Sequence, residues 1–227
     1  MESQDLLSTF RCDVVDDVEP YLWSTKEVYR YINDAYFMFV RLTGGIADGS
    51  TAAVTDLVAS TGVATTAVHS SIMQFRTAFN VTLKQPVTII NVQDTDTFVG
   101  DDYGLLSRGY DSTAPGRPTR MIIGEEDGYV RWVQVPDADY NIHVVVERLP
   151  LIPITRERQQ FLGVREEHHY HLLKWVRHLA YRKQDADTFN LVKSDQERND
   201  FIAYCEMAKN EKAGRRHKVR TTSYGGI

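Results

Sequence analysis

Apolar positions near the start of the chain recur every three to four residues, the spacing of one helical face. After Trp23, the run Ser24-Thr25-Lys26-Glu27 has the serine and glutamate of a capping box, whose side chains satisfy amides left over at a helix start. A helix is therefore expected from Ser24, with Val28, Tyr31, Ile32, Ala35, Phe39 and Leu42 on its buried face and Gly44-Gly45 ending it. Leu22 and Val28 are spaced to staple its start.

From about Ala53 the period changes to two, most cleanly in Met73, Phe75, Thr77, Phe79, Val81 and Leu83, which predicts a long half-buried strand. Further strands are expected over 86–92, 119–123, 129–135 and 141–148, with turns at Glu126-Asp127-Gly128 and Pro136-Asp137-Ala138-Asp139. Such short connections imply an all-antiparallel sheet. The Gly-, Asp-, Ser- and Pro-rich stretch 95–118 reads as a long loop of the kind that reaches toward a partner.

Beyond Pro150 and Pro153 the helical period returns in Leu172, Trp175, Val176, Leu179 and Ala180, with Lys183 snorkelling from the apolar edge. Asp187-Thr188 is placed to cap a third helix with Phe201, Tyr204, Cys205 and Ala208 on one face. Phe189 and Val192 are out of phase with that face, which suggests a bend near Ser194. Gly214 ends the helix and leaves an extended arm. The fold class expected is α+β. It consists of a helical bundle, made of the first helix (in 1–50) and two C-terminal helices (in 151–213), an inserted antiparallel β-sandwich-like unit (51–150), and an arm (214–227).

Charge changes this picture at one end. From Lys209 onward six cations face the single acid Glu211, a local charge of +5, so the rest of the 227-residue chain carries −10 of the net −5. An acidic body with a basic tail points to a tail that meets a partner. Hydrophobic residues make up 42% and charged residues 25%, a globular balance without a membrane-length apolar run. The start MESQDLLSTF has acids where a secretory signal has a basic region, so a cytosolic site of synthesis and use is expected. Cys12 and Cys205 lie far apart without metal-type spacing and are read as free thiols.

Several stretches carry a more specific wording. Leu22 to Ala35 (LWSTKEVYRYINDA), Val135-Pro136-Asp137 with Val145-Val146-Glu147-Arg148-Leu149-Pro150, and above all Tyr170 to Trp175 running into Ala180 to Phe189 resemble the head-to-tail adaptor, or connector, proteins of short-tailed bacteriophages. The resemblance covers roughly two thirds of the chain and is weakest over 52–117. It implies a structural virion protein in the neck: a ring of twelve subunits, assembled in the host cytoplasm, docked on the portal protein and carrying the tail nozzle or tail tube proteins. Double-stranded DNA passes through such a ring, and an acidic wall suits that passage because a basic one would hold phosphates by counterion release. A stopper ring lower in the neck is the neighbouring alternative.

Glu166-Glu167-His168-His169-Tyr170-His171 places Glu167, His168 and His171 on one helical turn, the best metal candidate and the basis of a third alternative, a metal-dependent enzyme. It lacks a further ligand and an evident base, so a polar helix start is preferred. Asp94, Asp96, Asp101, Asp102, Asp185 and Asp187 do not have calcium-loop spacing, phosphate-cradling glycine motifs are absent, and His69-Ser70-Ser71 is a chance juxtaposition. No catalytic residue, cofactor or metal is assigned, and no membrane contact is expected.

Two sets of binding residues are assigned. Tyr29, Tyr36 and Phe37 exceed what a single apolar face requires, so either the helix is sandwiched within its bundle or these rings pack against a neighbouring subunit. In the arm, Arg215, Arg216, His217, Lys218, Val219, Arg220 and Tyr224 are read as the segment that docks into an acidic groove of the portal.

Overall fold

A computed structural model describes residues 2–92, 115–156, 158, 160–184 and 189–215. It is a mixed α/β structure in two compact units. One comprises Met1–Gly45 with Pro150–Ile227, the other Ile46–Leu149.

The helical unit opens with α1 (Ser3–Asp13), which the apolar pattern had not suggested. It buries only Leu6 and Phe10 among its large apolar residues, too few to draw a periodic stripe. Helix α2 (Thr25–Leu42) starts at Ser24, whose Oγ accepts the Glu27 amide, while the Glu27 carboxylate takes the Ser24 amide in return. The staple is not Leu22, which is exposed, but its neighbour Trp23. Trp23 is buried edge-on against Phe10 and its indole N–H donates to the Ala180 carbonyl at 3.3 Å.

Helix α4 (Leu172–Tyr181) faces α2 through two polar contacts: Trp175 Nε1 donates to Asp34 at 2.7 Å, and Lys183, just past the helix, reaches Glu27 at 3.1 Å. The last helix, α5 (Leu191–Gly214), begins at Asn190, whose side chain accepts the Lys193 amide. The expected cap, Asp187-Thr188, lies outside the described residues. No bend is needed at Ser194: the helix is unbroken, Val192 simply faces outward, and Ser194 is buried with its hydroxyl on His178.

The sheet unit is built on β10 (Tyr140–Arg148), which pairs on one edge with β1 (Ile46–Asp48) and β2 (Asp56–Ala59) and on the other with β4 (Ile72–Asn80). A one-turn helix, α3 (Ala52–Thr55), joins β1 to β2. Beyond β4 the order continues through β5 (Gln85–Asn91), β7 (Arg120–Ile123), β8 (Tyr129–Val133) and β3 (Thr65–Ala67), making eight strands. Residues Tyr140, Ile142, Val144 and Val146 of β10 point inward in alternation, as a half-buried strand requires. Register shifts after Val145 and after Glu147 break that alternation and turn Glu147 inward, where Arg76 pairs with it.

Two expectations about this unit are corrected. The sheet is mostly, not wholly, antiparallel: β5 and β7 run parallel, as do β6 (Pro115–Gly116) and β9 (Val135–Pro136) in a separate ribbon. The alternation in β4 also points the other way. Met73, Phe79 and Val81 are exposed while Ala78 and Asn80 are buried, the Asn80 side chain accepting the Leu83 amide of the following turn. Alternation identifies two faces, and only the pairing partners decide which one is covered.

Candidate functional site

The described part of the expected metal turn is a 3-10 segment at Glu166–His168 leading into α4. It is packed rather than presented. His168 Nδ1 lies 2.8 Å from the Tyr204 hydroxyl and its ring sits 5.1 Å from Phe39. His171 stacks on Tyr204 at 3.6 Å, and His169 reaches the Val164 carbonyl while packing on Phe161. Burial lowers the pKa of His168 despite the nearby Glu167, and lowers that of His171 with help from Lys174. Neutral rings stacked on aromatics are thus the favoured state. Glu167 turns outward to Arg165 at 3.1 Å and Arg215 at 3.4 Å. Among the described residues no three His, Cys, Asp or Glu side chains group as metal ligands. His69 is engaged locally, its Nδ1 taking the Ser71 amide at 3.1 Å. The six aspartates weighed as cation ligands lie outside the described residues.

The three aromatic residues of α2 separate. Tyr36 is buried, donates its hydroxyl to the Leu162 carbonyl at 2.6 Å and packs edge-on against Phe161 at 5.5 Å. Tyr29 is also buried within the helical unit, whereas Phe37 stays half-buried beside Tyr36. Of the expected portal-binding arm, Arg215 closes α5 and pairs with Glu167 and Glu211. Arg216, His217, Lys218, Val219, Arg220 and Tyr224 lie outside the described residues. Arg215 is preceded by Lys212, whose ammonium sits on the carbonyls of Thr43, Gly44 and Gly45 and so ties α5 to the end of α2.

Two surface features had not been singled out from the sequence. An open cleft of about 800 Å³ runs along the first turns of α2, between Lys26, Tyr29, Arg30 and Asn33 on one side and Ile154 and Arg156 on the other. The Asn33 side chain accepts the Ile154 amide at 2.9 Å, which fixes the second wall to the helix. The other feature is the connection after α1, where the sequence Val-Val-Asp-Asp-Val-Glu leaves Val15 83% and Val18 74% exposed beside exposed Asp17 and Glu19. Interleaved valines and acids outside a periodic element were the available signal for it. Asp16 holds this loop: its carboxylate accepts the amides of Leu22 and Trp23 and pairs with Arg11 at 3.0 Å.

Of the histidines, His168, His169 and His178 are buried in the helical unit and serve its packing. A family model described as SU10 adaptor protein matches residues 1–221. The chain belongs to that family. It is accordingly a phage adaptor protein, a structural component of the virion. A search of the curated proteins gives no match. Membership of the SU10 adaptor family covers 52–117 as well, the stretch where the wording of the sequence was least telling. No described helix of this adaptor is long and apolar enough to cross a membrane.

Proposed function

We propose that this adaptor works as a ring of identical subunits in the neck of a short-tailed particle, docked on the portal above and offering a platform to the tail nozzle below. The observation that carries the reading is the family match over residues 1–221. Its wording as an adaptor agrees with the resemblance of the α2 and α4 segments to head-to-tail connectors. In this reading the ring has twelve copies, the long helices act as a bundle, and the strands between them form a sandwich-like insert. The acidic body lines a channel through which DNA passes without being gripped, since each neutralised phosphate would add a salt-dependent hold.

The arm supplies the portal contact in this reading. Arg215, Arg216, Lys218 and Arg220 repel one another when free, and a complementary acidic groove offsets the entropy lost on ordering them. Deleting residues 215–227 is expected to leave a folded chain of unchanged helix content that no longer co-sediments with DNA-free portal rings. Full-length chain should lose its binding as salt rises. Equal sedimentation of truncated and full-length chain would remove the arm from the mechanism and leave a face of the helical unit as the portal contact.

A further inference from the structure

We propose that the acidic loop 14–19 of one subunit docks in the α2 cleft of a second copy of this chain; the proposal rests on the ring reading and names the contact between ring neighbours.

The two surfaces complement each other in charge and polarity. The cleft is lined by Tyr29 and Ile154, both largely buried, with the exposed cations Lys26, Arg30 and Arg156 around them, while its acid Glu27 is taken by Lys183. The loop has two outward valines between two outward acids, Asp17 and Glu19. Apolar contact flanked by opposite charges gives both affinity and register.

Asp13, at the root of the loop, is held by Arg177 of α4, which is bonded in turn to Glu197 of α5, so the loop starts on the α4 and α5 flank. The cleft lies along the face of α2 that meets Ile154 through Asn33, and its Thr25 accepts a hydrogen bond from Arg11, the residue that pins Asp16 of the loop. Both surfaces sit near the N-terminal end of α2. A loop of one copy in the cleft of the next joins two different surfaces of the chain and so makes a heterologous contact, which closes into a ring when the rotation between copies fits.

The loop is prepared for such a role. Asp16 fixes its backbone from within, so little order remains to be imposed on docking. Val15 has a φ of +58°, a left-handed conformation that a β-branched residue adopts only at a cost, yet its side chain packs against little in its own chain. A contact outside the chain gives that side chain a use.

The test uses the full-length chain assembled on portal rings, with Cys12→Ser removing the exposed thiol and Val18→Cys and Lys26→Cys placed in loop and cleft. Cys205 stays silent because it is buried and its thiol is pushed up to about 12. After assembly a short bis-maleimide is added. The expected result is a ladder of covalent multimers from the double variant and monomers from either single variant. Monomers alone from assemblies that images show to be rings would overturn the contact and leave the ring reading standing. Absence of any ring from the unaltered chain on portal would overturn both. As a second measurement, Asp17→Lys with Glu19→Lys, or Lys26→Glu with Arg30→Glu, should each cut incorporation about tenfold, and the two reversals together should restore it. Undiminished incorporation, or failure of the combination to rescue, would count against the contact.

Discussion

The helical unit and the sheet unit hide polar groups in different ways. In the helical unit buried polar side chains reach from one element to another: Arg11 to Asp16 and the Trp23 carbonyl, His168 to Tyr204, His178 to Ser194. In the sheet unit they serve the backbone close by, as Asp48 does for the amides of Ser50 and Thr51 and Asn80 for that of Leu83, or pair with an arginine of the strand alongside, as Glu147 does with Arg76 and Asp48 with Arg148. Strands are aligned by their ladders, so the sheet needs side chains mainly for turns and ends. Helices satisfy their own backbones and carry no such alignment. Their mutual placement depends on directional side-chain bonds and ring contacts.

The largest test of this contrast is Trp23→Ala. Trp23 joins α1, α2 and α4 through its packing on Phe10 and its bond to Ala180, so truncation leaves a cavity and takes one donor from a carbonyl that the Lys183 amide still serves. The expected loss is about 3–5 kcal/mol in the helical unit. Trp132 is the one tryptophan of the sheet unit, among three in the chain, so with Trp175→Phe as the common background its fluorescence should report an unfolding midpoint little changed by Trp23→Ala. Denaturant titration followed by Trp132 and by helical circular dichroism separates the two units; equal shifts in both signals would show that the units share one cooperative interior.

That contrast also explains what could be read from the sequence. Helix α2 was legible because its cap and its apolar face are local, and α4 because Leu172, Trp175, Val176 and Ala180 keep one period. Helix α1 was not, since two apolar anchors make no stripe. The parallel β5 and β7 pair escaped because direction is a property of pairing and not of either strand, and the inward face of β4 was misjudged for the same reason. The histidines read as a polar helix surface, yet they are interior, because Tyr204 and Phe39 arrive from helices distant in the chain. The cleft escaped as well, for its second wall comes from residues 154–156, more than a hundred positions from α2.

A smaller effect should separate the units by pH. His168, His171 and His178 titrate below their ordinary value of 6.5, chiefly because burial disfavours the charged ring. Below pH 6.5 the unfolded chain therefore binds more protons than the folded one, and the helical unit loses stability as pH falls through that region. In the sheet unit, burial of Asp48 is outweighed by hydrogen bonds from Ser50, Thr51 and Arg148, which hold its carboxyl well below the ordinary 3.8. Its contribution is complete above 3.8 and is lost only at lower pH. Thermal melts from pH 7 to 5 should thus lower the helical midpoint while the Trp132 signal stays nearly fixed. Parallel movement of both would sink the assignment, and replacing His178 by Gln should flatten the helical slope.

The smallest expected effect concerns backbone strain, and it has opposite signs for stability and assembly. The helical unit has one non-glycine residue with positive φ, the β-branched Val15, among the described residues, whereas the sheet unit has the unbranched Lys84 and Gln134 at +55° and +66°. Glycine removes the Cβ clash at such a position but adds freedom to the unfolded chain, so the net gain is modest and largest where the original side chain is most hindered. Val15→Gly should therefore stabilise the helical unit by up to about 1 kcal/mol, and Lys84→Gly should change the sheet unit by no more than a few tenths. If loop 14–19 is the docking element, Val15→Gly raises the melting temperature of the isolated chain yet weakens its incorporation into rings, because the side chain that costs stability in one subunit makes its contact in the next. Lys84→Gly should leave incorporation unchanged. A Val15→Gly chain that is both more stable and fully competent to assemble would mean that the strain serves no contact, and would leave the exposed valine without a role in the neck.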